Sequence, residues 1–395
     1  MLKIEAIEIV GLDLVPKRRR KMATGAYVYS DKGGWAGRSV LCGIRAGGLI
    51  GWGEVRPINP FTSETAASMF SNIRDFYAPI LIGRNAFDIE SILGALDSRL
   101  PGNPATKSTI DMALHDLVGR ALNVPAYVLL GGACRTEIPL EWSISLDDEK
   151  TMVAEALDVV SRYGVKTVCI KVGPLDRGDT DYRIAAAIQK ELGPAIQLGA
   201  DANTTFDVNN AIRFANTVGE GGRLAYFEQP VPASQLQDMK RIRDRITVPI
   251  MADESVYSAQ DAHQIVQIGA ADVLALKFYK CGGLRRARDI AVIANAAGLR
   301  ANCAGTANGS YIEAIAASHL CASIPNHAFA AEFIMGLPAV NRDEIVVNSP
   351  VDLDVTNGTC NVGSGPGLGF ELDMAAVHRN ALAHVMVDHN EVRSL

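Results

Sequence analysis

Much that would assign a function at sight is missing from these 395 residues. The chain has no H-E-x-x-H, no G-x-S-x-G and no G-x-x-x-x-G-K-[ST], which removes zincins, the common serine hydrolases and P-loop enzymes. Seven cysteines, at 42, 134, 169, 281, 303, 321 and 360, include no C-x-x-C pair and are odd in number. That disfavours a disulfide framework and a zinc ribbon and leaves most of them as small buried hydrophobes. The seven histidines show no ligand spacing. A surplus of cations is also lacking: 38 Lys and Arg stand against 44 Asp and Glu, for a net charge of -6. Generic nucleic-acid binding is therefore not expected, because it needs cations to displace counterions from phosphates. No long uninterrupted apolar run occurs. The most apolar stretch, Ala291 to Ser323, carries Arg300, Asn302, Asn308, Glu313 and His319, so no membrane span is expected and it reads as helix, strand and helix. At the start, Glu5 and Glu8 interrupt any apolar h-region, so no signal peptide is read and a cytoplasmic location is expected.

What is present is an ordinary globular composition, 48% apolar and 21% charged, in two stretches of different grammar. Residues 1–132 begin with alternating runs, LKIEAIEIV, SVLCGIRA and LIGWGEV, that predict an antiparallel meander. Between the first two lies Lys17 to Arg38, rich in Gly, Lys and Arg, which reads as a mobile loop carrying the run KRRRK. Three helices follow, at Ser63 to Ile82, Asp88 to Leu100 and Ala105 to Leu122, completing an α+β unit. From 133 to 345 short apolar strands alternate with amphipathic helices. The strands are PLEWSIS, TVCIKV, IQLGAD, LAYFEQ, IMADE, VLALKF, RANCAG and AFAAEF, eight in all. Such alternation predicts an α/β fold with a buried parallel sheet, a TIM-type barrel in preference to a doubly wound sheet by the count of eight. Residues 346–395 contain GSGPGLGF and read as a turn-rich return to the first unit.

In a barrel the reactive groups sit at the C-terminal ends of the strands. Those positions hold Lys171, Asp201, Glu228, Asp253, Lys277 and Glu332. Singly, each carboxylate could be a helix cap or half of a salt bridge. Three of them separated by 27 and 25 positions, one βα unit each, project side by side, and three adjacent anions call for a hard divalent cation, Mg2+ or Mn2+. Asn203, two residues after Asp201, and Glu254, next to Asp253, are placed to support the ligands. Lys171 and Lys277 flank the trio on either side. A lysine beside a cation can have its pKa lowered enough to act as a base, so the pattern predicts removal of a proton α to a carboxylate, the developing charge being held as an enediolate. Lys277 as a Schiff-base lysine is the alternative chemistry.

With these residues in place the chain resembles the enolase superfamily, in particular its muconate lactonizing enzyme subgroup. STIDMALHDLVGRALNVPAYVLLGG (108–132) is similar to the segment joining that family's capping domain to its barrel. TVCIKVG, GADAN, YFEQPV, MADES, LKFYKCGGL and PGLGFELD match its further segments in order. The resemblance implies a modified (β/α)7β barrel with an N-terminal α+β capping domain completed by the C-terminal tail, metal held by Asp201, Glu228 and Asp253, an acid/base pair of Lys171 and Lys277, and a homo-oligomer. The mandelate-racemase and sugar-acid-dehydratase subgroups are disfavoured, because strand seven, ANCAGT, has no histidine. The subgroup's Lys-x-Lys on strand two is here Cys169-Ile170-Lys171, which alters how a substrate carboxylate is held. Strand eight lacks the Asp-x-Asp of the dipeptide epimerases, and Glu332 resembles the lactonizing enzymes. The implied activity is muconate-type cycloisomerisation on a small carboxylate. Amino-acid or N-acylamino-acid racemisation, an o-succinylbenzoate-synthase reaction and a barrel that only binds a ligand are the alternatives. Cys169, Glu332 and Arg19 are the candidate substrate contacts.

Overall fold

The computed structural model describes residues 1–14, 21–26, 34–58, 62–304 and 311–392. The N-terminal meander forms as its alternation predicts, from Ile4–Leu12, Ser39–Ala46 and Leu49–Val55, all antiparallel. A fourth strand, Ala381–Asp388, pairs antiparallel with Ile4–Leu12 and forms the sheet edge. The tail thus returns to the first unit and adds a strand to it. That strand is half-exposed along most of its length, so its sequence carries little alternation to read.

The helix expected from Ser63 starts at Ala66, with Thr65 as its cap: Thr65 Oγ1 accepts the Ser68 N–H at 3.1 Å, and Ser68 Oγ accepts the Thr65 N–H at 2.9 Å. Glu64 is used elsewhere. Its carboxylate accepts the backbone N–H of Ala105 (2.7 Å) and of Thr106 (3.0 Å), at the start of the helix Pro104–Leu122. A π-helical turn, Ile73–Tyr77, interrupts the predicted span before it ends at Leu81.

Pro104–Leu122 is the central helix, buried from Ala105 through Gly119 although it carries Thr106, Lys107, Asp111, His115 and Asp116. It lies directly on Leu49–Val55 because that strand offers Gly51 and Gly53. A Cβ at Gly51 would stand 2.3 Å from the Ala113 carbonyl oxygen, and one at Gly53 2.2 Å from that of Thr109. The polar residues act as ties. Asp116 accepts the Trp52 N–H (2.9 Å) and the Leu368 N–H (2.8 Å), and Asp111 accepts the Leu284 N–H (2.6 Å) from a barrel helix. One helix therefore fastens the meander, the barrel and the C-terminal return together.

Seven parallel strands make the barrel in chain order: Glu141–Ile144, Thr167–Lys171, Gln197–Asp201, Tyr226–Glu228, Ile250–Ala252, Val273–Leu276 and Arg300–Cys303. Helices follow each strand, from Glu149–Tyr163 after the first to Tyr311–Ser323 after the seventh. The eighth segment, AFAAEF, closes the ring through single bridges rather than a regular strand: His327 opposite Ala301, Ala331 opposite Leu140 and Glu332 opposite Ala304. Phe329, with φ of 27°, leaves the extended region in its middle and breaks the ladder. The result is the predicted (β/α)7β architecture. Among the described residues no helix is long and apolar enough to cross a membrane.

His319, buried on the seventh barrel helix, joins the linker to the tail. Its Nδ1 accepts the Tyr127 N–H at 3.3 Å, Nε2 faces the Leu368 carbonyl at 3.4 Å, and its ring stacks on Tyr127. Burial, with a smaller push from His115, holds this imidazole down to about 4. An unfolded histidine titrates near 6.5, so between those values the unfolded chain binds the extra proton. The contribution is full above about pH 6.5 and is lost as pH falls toward 4, by roughly 3 kcal/mol in all. Urea unfolding at pH 7.5 and 4.5 should show His319→Gln losing less stability on acidification than wild type; equal losses in the two proteins would refute this account.

Candidate active site

The barrel brings all six predicted strand-end residues to one mouth. Lys171, Asp201 and Glu228 are register neighbours across strands two, three and four. Asp253 follows strand five, Lys277 follows strand six, and Glu332 lies beside strand seven at Ala304. Apolar strands buried on both faces deliver these charges to the rim, and all but the half-buried Glu332 are themselves buried.

Each aspartate is engaged by a lysine. Lys171 Nζ donates to Asp201 Oδ2 at 2.5 Å, and Lys277 Nζ donates to Asp253 Oδ2. Asn203 closes on Asp201 from the other side, its backbone N–H donating to Oδ1 at 2.8 Å and its amide to Oδ2 at 3.0 Å. The same amide reaches Glu254 Oε1 at 3.3 Å. Asn203 has φ of 41°, a left-handed conformation that asparagine adopts more readily than most residues. The predicted supporting pair therefore meets, bridging strands three and five.

Three acceptor oxygens here are buried without a hydrogen-bond partner: Glu228 Oε1, Glu254 Oε2 and Asn203 Oδ1. Leaving such atoms unsatisfied costs about 1–3 kcal/mol each, and all three are hard oxygen donors of the kind a divalent cation takes. The electrostatics agree. Burial, then the Asp201 and Asp253 charges, push the Glu228 carboxyl well above the usual range; burial, then Asp253 and Asp201, push Glu254 up to about 8. These oxygens, beside the carboxylates of Asp201, Glu228 and Asp253, make a donor set that a hard divalent cation would fit.

The two lysines are tuned by the carboxylates they face. Burial would depress Lys171, but Asp201 and then Glu332 outweigh it and raise the ammonium well above its ordinary value. Lys277 is raised likewise, by Asp253 foremost against its burial. The Glu332 charge adds to the rise at both lysines.

Cys169 points into the barrel one layer beneath Lys171, buried against Tyr226, Met251 and Ala304. Below the rim, the Tyr226 hydroxyl donates to Glu141 Oε2 at 2.7 Å. Cys169 and Tyr226 share a register row across Gly199, so the thiol stands level with the phenol of this phenol–carboxylate pair. Arg19 lies outside the described residues. Part of the predicted loop around it forms a small hairpin, Lys21–Met22 with Gly25–Ala26, hydrogen-bonded at Lys21 to Ser145 and Leu146 beyond strand one.

Two residues escaped the sequence reading. Gln229 Oε1 accepts the N–H of Asp253 (3.0 Å) and of Ser255 (3.2 Å), fixing the end of strand five from strand four. Lys280 donates to Asp253 from the opposite side to Lys277. Their only signals were adjacency, Gln229 to Glu228 and Lys280 one helical turn beyond Lys277. Away from the mouth, Cys303, Cys321 and His327 bring their ligand-type atoms within 4.8 Å of one another, a proximity no spacing announced. His327 Nε2 there accepts the Cys303 N–H at 3.1 Å, so that nitrogen already serves the backbone.

The chain as a whole has clear relatives. Residues 151–376 match the enolase C-terminal domain-like family, and residues 34–131 match the mandelate racemase / muconate lactonizing enzyme N-terminal domain. The chain is similar to muconate cycloisomerase 1 of Rhodococcus opacus, 33% identical over 381 residues, covering 95% of this chain and 98% of the relative. It superposes on the muconate lactonizing enzyme of Pseudomonas fluorescens complexed with muconolactone at a TM-score of 0.86 and 30% identity, covering 96% and 99% of the two chains. The dipeptide epimerase of Enterococcus faecalis complexed with Mg and a dipeptide gives 0.82 at 28% identity, covering 93% and 99%.

Proposed function

Since the chain belongs to the mandelate racemase / muconate lactonizing enzyme family of the enolase superfamily, we propose that it is a metal-dependent cycloisomerase that interconverts a muconate-type diacid and its lactone. The observation that carries this reading is the row Lys171, Asp201, Glu228 with Asp253 beside it: three buried carboxylates between two buried lysines. Family membership implies a divalent metal. Mg2+ is our specific choice, and the Mg in the similar epimerase structure supports it.

When bound, the cation supplies Lewis-acid stabilisation of the negative charge that develops on the substrate carboxylate. The chain's own residues handle the proton. In the lactone-forming direction one carboxylate oxygen of the diacid adds to the far carbon of a double bond, and the carbon α to the other carboxylate receives a proton from Lys171 Nζ. In the reverse direction Lys171 removes that proton and the ring C–O bond breaks. Lys277, across the mouth, holds its ammonium against the developing charge. The buried layer beneath, Cys169 with Tyr226, Met251 and Ala304, excludes water from the reacting carbon. A cytoplasmic homo-oligomer is part of the same reading.

Incubation of cis,cis-muconate and chloromuconates with the Mg2+-loaded protein should bleach the diene absorbance and yield lactone signals by NMR. The second reading, a racemase or epimerase, is favoured by the similar epimerase structure and disfavoured by the strand-eight sequence Ala330-Ala331-Glu332, which has no Asp-x-Asp for a substrate ammonium. Racemisation of N-acylamino acids or dipeptides without turnover of any muconate or lactone would overturn our choice in its favour.

A further inference from the structure

Two lysines from one helical turn converge on one carboxylate, and they do so differently. Lys277 stands at the start of the short helix Phe278–Cys281 and donates to Asp253 Oδ2. Lys280, on the same turn, donates both to Asp253 Oδ1, at 2.5 Å, and to the Asp253 carbonyl oxygen, gripping side chain and backbone of the same residue. Its side chain is 0% exposed, and its ammonium lies 5.1 Å from the centre of the Tyr257 ring. Behind it a cavity of about 410 Å³ separates the capping helices from the barrel. Asp97 and Asp289 line that cavity too, yet the Lys280 ammonium is on Asp253.

From this geometry we propose that Lys280 is a positioning residue: it holds Asp253 with one oxygen occupied and the other turned to the mouth, so that Asp253 serves as a metal ligand through that second oxygen. The inference rests on the metal site proposed above. A cation and the Lys277 ammonium compete for the same oxygen, Oδ2, so loading the site displaces Lys277 from that oxygen. Lys280 has no such competitor. Its two contacts fix the orientation of the carboxylate before the cation arrives, in the way that partners behind a ligand set its affinity.

Isothermal titration of the full-length, metal-stripped protein with Mg2+ tests this. Lys280→Met should weaken Mg2+ binding by about 10–100-fold, the range for lost supports of metal ligands, with Lys280→Gln, which can still donate to Oδ1, in between. Lys277→Met should bind Mg2+ at least as tightly as wild type, because a competitor is gone. Near-UV circular dichroism and cooperative unfolding check that each variant is folded, and the Gln variant carries the test if the Met variant is not. Wild-type Mg2+ affinity in both Lys280 variants, or an equal loss in Lys277→Met, would overturn the assignment. Asp253→Asn separates the two levels: if it also keeps wild-type affinity the metal site itself has been misread, whereas if it loses affinity and Lys280→Met does not, only the role of Lys280 fails.

Discussion

Replacing Lys171 with methionine should lower kcat for muconate cycloisomerisation, and for the reverse reaction, by about 10²–10⁴-fold, the range for a positioned proton-transfer group. Mg2+ affinity should not fall with it. Methionine keeps the length of the chain and removes only the ammonium, so packing beside Cys169 and Asp201 is preserved. The expected signature follows from position: Lys171 touches one ligand, Asp201, through an ion pair, and that pairing competes with a cation rather than building its site. Steady-state kinetics with Mg2+ titrations on the same preparation measure both quantities. A kcat within about threefold of wild type would remove Lys171 from proton transfer, since even the low end of that range is tenfold or more beyond it.

Glu228→Gln should have two effects of opposite sign. Loss of a charged ligand from the trio should weaken Mg2+ binding by more than about 100-fold, beyond what residues that merely orient ligands cost, and activity should disappear at ordinary Mg2+ concentrations. The metal-free protein should nevertheless become more stable. Glu228 is buried between Asp201 and Asp253, both of which oppose its ionisation, and its Oε1 has no hydrogen-bond partner. An amide of the same shape carries no charge for Asp201 and Asp253 to repel. Thermal unfolding with EDTA and with Mg2+ reads both effects: the variant should melt higher than wild type in EDTA and should show no Mg2+ shift. A wild-type Mg2+ shift in Glu228→Gln would exclude this carboxylate as a ligand.

The features legible in the sequence are those set by local periodicity. Parallel strands buried on both faces must be apolar, so a charge at the end of TVCIKV or IQLGAD stands out, and the spacing of Asp201, Glu228 and Asp253 translates directly into adjacent strand ends. The central helix was found despite its many polar residues because its apolar positions still recur, but its ties, Asp116 to Trp52 and Leu368 for example, join residues far apart in the chain and leave no local mark. Lys280 illustrates the same limit within the site. It is one lysine among 38 Lys and Arg, and only the helical turn after strand six, which carries it back over Asp253, separates it from a solvated surface lysine. Phe329 shows the converse. AFAAEF has the composition of a strand, and the left-handed residue that breaks it depends on the contacts that close the ring, Ala331 with Leu140 and Glu332 with Ala304. The edge strand Ala381–Asp388 has no mark of its own within the turn-rich tail, because a half-exposed strand need not alternate.

The central claim is metal-dependent proton transfer at a carbon next to a carboxylate, and solvent deuterium exchange tests it most directly. Muconolactone incubated in D2O with the Mg2+-loaded protein should take up deuterium at the carbon α to its carboxylate, seen as a mass increase and a lost proton resonance. Uptake should stop on adding EDTA and in Lys171→Met. Exchange that continues in EDTA, or that persists at the wild-type rate in Lys171→Met, would contradict the account.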